Sequence, residues 1–481
     1  MFTLTFFIVT ELIPRYFFYT LILADVLVIS AVPSVLVQRS GKPLGALSWL
    51  FALFTIPFLG VLAWWTIGRT HLRRQLRKRL KATKKFLALQ EGVQAKRVSK
   101  AFKSLLPVKI SGRYRGSGLF PPTTGNSFTI LSDGKEFFEA LSKSILGAEH
   151  SIWILMYIWQ DDETGRHVLS LVRNAAARGV KVRILLDAMG SRPFLRKYKR
   201  TLSSSKLEMH AFLPYTVFPF KPTINFRNHR KLIIIDRRKA FTGGMNIGAQ
   251  YQHEWRDLMI DCRGPIVSQL EEVFLEDWFF ASKQSLVPDR VRTDGEREGN
   301  CDATLIASGP DNEEAWMHDI FFNAIVAAKE RVYLTTPYFI PSRPLEAALR
   351  SAAQRGVDVR ILIPAQSDVW VTQMAARAFY SSLAAAGVRF FEFRGKVLHK
   401  KVMLVDQELS ILGSANVDQR SFKLNFEISI AVHSRSHNER LTTCFYEELS
   451  QSGEIKGEEL KPKHWLPVLL NSIAHLFSPL L

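Results

Sequence analysis

Between Leu44 and Ile67 the chain runs for 24 residues without a charged side chain (LGALSWLFALFTIPFLGVLAWWTI). One straight helix of that length would extend about 36 Å, against about 30 Å of bilayer hydrocarbon, so the stretch predicts a membrane span. Trp64 and Trp65 stand near one end, where indoles favour the interface. Tyr16–Val37 is a second apolar stretch, interrupted only by Thr20, Asp25, Ser30 and Ser34. Asp25 would have to face the other helix or lie near an end, because a carboxylate in lipid is costly. The short link Gln38–Lys42 joins the two as a helical hairpin. No Lys or Arg precedes Arg15 and another apolar stretch comes at once, which argues against a cleaved signal peptide. Phe2–Ile13 suits a short interfacial segment. His464–Leu481 (HWLPVLLNSIAHLFSPLL) suits a helix docked on the domain or lying on a membrane surface.

From about Gly112 the pattern becomes that of an α/β protein, and it repeats. SIWILMYI (Ser151–Ile158) and RVYLTTPYFI (Arg331–Ile340) read as strands of bulky and β-branched residues. ARGVKVRILL (Ala177–Leu186) and QRGVDVRILI (Gln354–Ile363) each read as a helix end, a glycine stop and a strand. Strand, helix and strand recur about 180 residues apart, which predicts duplicated α/β sandwich halves with helices on the faces of a parallel or mixed sheet. The expected organisation is a membrane anchor over 1–68, a basic juxtamembrane linker over 69–111, a first half over 112–294, a second over 295–463 and an apolar C-terminal helix over 464–481. The junction between halves falls in the polar run Pro288–Asn300.

Composition then narrows the class. Of the 481 residues, 47% are hydrophobic, which excludes a disordered or collagen-like chain. The three cysteines, Cys262, Cys301 and Cys444, are far apart and contain no Cys-x-x-Cys, which argues against a disulfide scaffold or a zinc module. The formal net charge is +20, but Arg69–Arg115 holds 16 Lys or Arg and one acid, Glu91, and so carries +15 of it. The basicity is a local feature behind the apolar stretches, not a nucleic-acid footprint spread over a domain. Positive charge at this position places the basic run, and the α/β domain after it, in the cytoplasm. It also suits an anionic membrane surface. Two full spans would return the N-terminus to the same side.

The strongest chemical signal lies late in each half. NHRKLIIIDRRKAFTGGMNIG (Asn228–Gly248) and LHKKVMLVDQELSILGSANVD (Leu398–Asp418) share one spacing. His229, Lys231, Asp236, Gly243, Gly244 and Asn246 match His399, Lys401, Asp406, Gly413, Ser414 and Asn416, each pair 170 residues apart, and Asp257 matches Glu427 in the same register. Positions i and i+2 of a strand share a face, so His and Lys emerge together and the Asp falls on the other face as a structural group. The glycines allow close backbone approach. Lysine beside histidine suits a phosphate, one supplying charge and the other a nucleophile or acid. A lone His-x-Lys would mean no more than a surface strand. A degenerate second copy and a metal site are the alternatives for the pair, though a protonated lysine is a poor ligand and the carboxylates are not at zinc spacing.

These motifs resemble the phospholipase D superfamily, whose signature is His-x-Lys-x4-Asp-x6-Gly-[Gly/Ser]-x-Asn. The paired apolar stretches, Trp255-Arg256-Asp257, Asn425-Phe426-Glu427 and TPYFIP (Thr336–Pro341) resemble the bacterial cardiolipin synthases more narrowly, over nearly the whole chain. The resemblance implies halves related by a pseudo-two-fold axis, with both histidines in one site. It counts His229, Lys231, Asp236, His399, Lys401 and Asp406 as catalytic. It gives Asn246, Asn416, Gly244 and Ser414 to the phosphate, and makes Asp257 and Glu427 orienters of the histidines. It further implies phosphatidyl transfer between two phosphatidylglycerol molecules through a phosphatidyl-histidine, with His229 as nucleophile, release of glycerol, and no metal or other cofactor. Another phosphatidyltransferase, a phospholipase D hydrolase, a nuclease and a catalytically dead membrane scaffold are the other readings. Oligomeric state is open.

Overall fold

In the computed structural model the described residues are 13–39, 43–68, 119–202, 206–214, 226–284, 286, 297–312, 315–456, 469–471 and 474. The basic run, nearly all of Phe2–Ile13, most of the junction between halves and most of the C-terminal stretch lie outside them. The described chain falls into two units, the helices before residue 69 and the α/β chain from residue 119.

Helix α1 (Ile13–Gln38) contains Phe18–Gln38, the one helix among the described residues long and apolar enough to cross a bilayer. Val28, Ala31 and Val35, spaced three and four apart, form its buried face against Ala46, Leu53 and Trp64. Asp25 is exposed and so is not packed against the second stretch, the first of the two placements expected for it. The second apolar stretch is not one straight span. It forms α2 (Pro43–Thr55), breaks at Ile56, and continues as α3 (Pro57–Ala63) and a π turn at Trp64–Gly68. Pro57 has no N–H to continue the ladder and pushes Ile56 out of the helical region, to φ −134° and ψ 71°. The chain then doubles back. A Cβ on Gly60 would lie 2.5 Å from the Ala52 carbonyl oxygen, Trp64 meets Trp49 with ring centroids 5.2 Å apart, and the Arg39 guanidinium donates to the Gly68 carbonyl at 3.3 Å. The stretch thus ends beside the point where it began.

The α/β unit is built twice from the same parts. The first half runs β1 (Thr123–Leu131), α4 (Gly134–Leu146), β2 (Ser151–Met156), α5 (Glu163–Ala177), β3 (Lys181–Asp187), α6 (Arg192–Tyr198), β4 (Leu207–Phe212), β5 (Leu232–Ile235), β6 (Lys239–Gly243), α7 (Ala249–His253), β7 (Trp255–Arg256), β8 (Met259–Arg263) and α8 (Ile266–Ser282). The second runs β9 (Cys301–Ser308), α9 (Trp316–Ala327), β10 (Arg331–Thr335), α10 (Arg343–Gln354), β11 (Asp358–Pro364), α11 (Trp370–Ala384), β12 (Arg389–Phe393), β13 (Val397–Leu398), β14 (Val402–Val405), β15 (Leu409–Gly413), α12 (Gln419–Lys423), β16 (Glu427–His433), α13 (Arg435–Ser450) and β17 (Ser452–Glu454). Strand order is β4-β3-β2-β5-β6-β8-β1 in the first and β12-β11-β10-β14-β15-β16-β9 in the second, the same order of equivalent strands. In each, three parallel strands join an antiparallel group. β1 pairs with β9, so the halves share one sheet.

The sequence explains why both sheet faces are covered. In β2, Ile152, Ile154 and Met156 enter one core while Trp153 and Leu155 enter another. A strand buried on both sides reads as a continuous apolar run, as SIWILM does. The core on the second face is common to both halves, because Phe274 and Trp278 of α8 and Leu441 and Phe445 of α13 pack within it. Asp133 and Asp162 cap α4 and α5 by accepting from Glu136 N and Gly165 N. Arg178 and Arg355, the arginines of the two Arg-Gly-Val repeats, each donate to three carbonyls at the end of α4 and α9. Ala474 is buried in the outer core of the second half, which docks that point of the C-terminal stretch on the domain.

Candidate active site

The segments carrying the histidines cross between halves. His229 N donates to the Phe426 carbonyl at 2.9 Å, and Phe426 N donates to the Arg227 carbonyl at 2.9 Å. Equivalently, β13 pairs with β7 and His399 N donates to the Arg256 carbonyl at 2.8 Å. Each histidine is therefore held beside the acidic residue of the opposite half. His229 Nδ1 lies 3.0 Å from the Glu427 carboxylate, and His399 Nδ1 lies 2.6 Å from Asp257 Oδ2. A carboxylate on Nδ1 keeps the proton there and leaves Nε2 for chemistry.

The two carboxylates differ by one methylene, and the neighbouring residue compensates. Asp257 occupies the space that a side chain at position 244 would need, since a Cβ on Gly244 would lie 2.1 Å from Asp257 Oδ1. The Leu258 amide donates to that oxygen at 2.7 Å. The longer Glu427 leaves room for Ser414, whose hydroxyl donates to it at 2.5 Å, and Asn425 donates at 3.1 Å. The departure at Gly244 is thus a packing requirement.

Both lysines are buried. Lys231 Nζ donates to the His229 carbonyl at 2.7 Å and lies 5.2 Å from the centre of the Tyr157 ring. Lys401 Nζ donates to the His399 carbonyl and lies 2.6 Å from His399 Nδ1. One ring nitrogen cannot donate to Asp257 and accept from Lys401 together. The buried carboxylate is the stronger partner and takes the Nδ1 proton, and Lys401 keeps the carbonyl.

Burial sets the protonation of the cluster. It pushes His399 down to about 4, with Lys401 adding to the shift and Asp257 opposing it. It lowers His229 against the pull of Glu427. It brings Lys231 down to about 7, with Glu427 opposing and Lys401 adding. Burial alone would raise the two carboxylates, but Lys401 and His399 hold Asp257, and His229 holds Glu427, below the usual range. Without substrate the site is a pair of neutral imidazoles beside two anions, poised for an incoming negative charge to restore protons.

Asp236 and Asp406 lie at the far ends of their strands, where they hold backbone. Each sits past the end of its strand with φ of 49°, about 16 Å along the chain from Lys231 or Lys401 at strand rise. Asp236 accepts from the amides of Glu149, His150 and Ser151, and Asp406 from those of Lys329, Glu330 and Arg331. They tie the turn before the first parallel strand of each half. Asn246 and Asn416 are buried, and each bonds within its own half. Asn246 accepts from Ile158 N at 3.1 Å and its side chain bonds Tyr251, while Asn416 bonds Asp418 and leaves its Oδ1 unpaired. Among the described residues no group of three His, Cys, Asp or Glu is arranged to hold a metal.

The structure adds residues that the motif did not reveal. Tyr157 meets His229 edge-on at 4.8 Å between ring centroids, and Trp255 packs on His399 at 4.6 Å. Tyr338 also faces His399, at 6.3 Å, and its hydroxyl bonds both oxygens of Asp368 at 2.8 Å. Trp255 and Tyr338 stand inside flanking segments that carry the family resemblance; Tyr157 and Asp368 carry no comparable signal.

The family described as "Cardiolipin synthase, PLD-like domain" matches residues 141–278 and 321–449. Cardiolipin synthase A of Pseudomonas putida strain W619 is 33% identical over 97% of this chain and 99% of its own, and that of Pseudomonas fluorescens strain Pf-5 agrees equally well. The chain belongs to the cardiolipin synthase, PLD-like domain family. Among solved structures, a phosphatidylserine synthase of Haemophilus influenzae superposes with a TM-score of 0.56 over 74% of this chain and 95% of its own, at 13% identity, which speaks for the fold.

The close fit at Gly244 predicts an asymmetric response. Gly244→Ala should lower kcat/KM by about 100-fold, because it displaces a carboxylate that orients a histidine. Ser414→Ala removes one hydrogen bond to Glu427 and should lower it by about tenfold. Kinetics of the two purified variants measure both, and a larger loss in Ser414→Ala would contradict the packing argument.

Proposed function

We propose that this protein transfers a phosphatidyl group from one phosphatidylglycerol to another, giving cardiolipin and glycerol. The observation that carries the reading is the pair of buried imidazoles, each held by a carboxylate of the opposite half, in a chain related over nearly its full length to cardiolipin synthases. His229 Nε2 attacks phosphorus and the P–O bond to the glycerol headgroup breaks. The His399 side supplies a proton to the leaving oxygen. A second phosphatidylglycerol then gives its hydroxyl proton to His399 as its oxygen attacks, and the P–N bond breaks. Lys231 and Lys401 hold the non-bridging oxygens as charge develops. The substrate anion raises the proton affinity of His399 when the acid is needed.

Purified protein in phosphatidylglycerol micelles should form cardiolipin and glycerol in equal amounts. His229→Ala and His399→Ala should each abolish both products. Phosphatidic acid as the main product would favour the hydrolase instead, and neither product from folded protein would exclude the proposal.

The Lys231 ammonium is present below about pH 7 and is lost above it. The kcat/KM for phosphatidylglycerol should therefore fall as pH rises through about 7. The limb for kcat should lie higher, since bound phosphate favours the cation. Lys231→Arg should remove the limb, because guanidinium stays charged; an unchanged limb would assign it elsewhere.

We further propose that α1 crosses the membrane once and that the bent stretch α2–α3 dips into one leaflet and returns. α2 has 13 residues, about 20 Å of helix, short of the about 30 Å core. With the basic run in the cytoplasm, the N-terminus then lies outside it. Cysteines placed at the N-terminus and after Gly68 should label from opposite sides of intact cells with a membrane-impermeant maleimide. Labelling from the same side would restore two full spans.

A further inference from the structure

The two histidines occupy equivalent places on a duplicated scaffold, but the walls beside them are unlike. On the His229 side the buried Asp187 and the guanidinium groups of Arg227 and Arg420 all act electrostatically on the Tyr157 hydroxyl, and Arg227 also acts on Asp187. The residues 170 positions away from the two arginines are Val397 and Gln250, neither of them charged. On the His399 side stand Tyr338 and Asp368, hydrogen-bonded to each other, and Asp368 acts electrostatically on both His399 and Lys401. The residue 180 positions before Tyr338 is Ile158. One wall has two guanidinium groups beside a phenol and a buried carboxylate, and the other has an exposed carboxylate bonded to a phenol.

These walls select different chemistry. Guanidinium groups suit a phosphodiester anion. A carboxylate repels that anion and accepts hydrogen bonds from hydroxyls, and a phenol both donates and accepts. Asp368 is exposed and is followed by the exposed apolar residues Val369 and Trp370, so the pair opens outward beside a rim that suits lipid.

We infer that Tyr338 and Asp368 form a polyol subsite that holds the hydroxyls of a glycerol headgroup next to His399. This rests on the phosphatidyl-transfer reading and deepens it. The same subsite serves the reaction twice. It first holds the leaving glycerol, whose oxygen takes the proton from His399. It then holds the glycerol of the second phosphatidylglycerol, whose hydroxyl gives a proton to His399 as its oxygen bonds to phosphorus and the P–N bond to His229 breaks. The carboxylate keeps the phosphate of the phosphatidyl-histidine out of the alcohol side, and the arginines keep it on the other.

The test compares a polyol with a monohydric alcohol. Full-length protein in phosphatidylglycerol micelles is given labelled glycerol, which enters phosphatidylglycerol by exchange, or labelled 1-propanol, which forms phosphatidylpropanol. The readout is the ratio of kcat/KM for glycerol to that for 1-propanol, in which general losses of folding or catalysis cancel. Wild type should favour glycerol, and Asp368→Asn and Tyr338→Phe should each lower the ratio at least tenfold, chiefly through the KM for glycerol. An unchanged ratio in both variants, or a wild type with no preference for glycerol, overturns the subsite while leaving phosphatidyl transfer standing. No phosphatidyl product with any alcohol overturns the transfer reading itself, and the subsite with it.

Discussion

Asp257 and Glu427 are fully buried carboxylates, and the histidine that each one holds belongs to the other half of the chain. A buried charge stripped of a partner costs several kcal/mol, so each half buries its acid more favourably with the other half in place. The crossed pairs therefore demand two halves in fixed register. The rest of the architecture supplies that register: β1 pairs with β9, β13 with β7, and α8 and α13 share one core. Two copies of a motif become one site because each copy's carboxylate holds the other copy's histidine.

The duplication is symmetric where it builds and asymmetric where it meets substrate. Strand order, the aspartates that tie the turn before β2 and β10, and the arginines that close the preceding helices all repeat. At the carboxylates the copies differ in length but compensate, Gly244 making way for Asp257 and Ser414 bonding Glu427. The walls do not compensate. A transfer reaction has an anionic group that stays and an alcohol that is exchanged, and unlike walls on a symmetric frame match that division of labour.

The membrane segment obeys a different physics from the domain. Apolar composition alone measures how much chain prefers lipid, and on that measure Leu44–Ile67 is long enough to cross. One proline and one glycine change its path. Pro57 ends the ladder and Gly60 lets the returning arm touch the backbone of Ala52. The return brings Gly68 to Arg39, so apolar length by itself does not fix the path of this stretch.

Much of the site was legible because its spacing repeats. His229, Lys231 and Asp257, with His399, Lys401 and Glu427, were identified from a constant 170-residue interval, and strand alternation already set Asp236 and Asp406 on the far face. The duplicated α/β class came from the recurring strand, helix and strand patterns. These are local properties of the chain, fixed by periodicity and covalent spacing. Which histidine meets which carboxylate, which groups Asn246 and Asn416 bond, and what surrounds the histidines at Tyr157, Tyr338, Asp368, Arg227 and Arg420 were decided only by the tertiary structure. Those residues lie far apart in sequence, or carry no repeated signal, and become a site only when a shared core and a continuous sheet bring the two halves together.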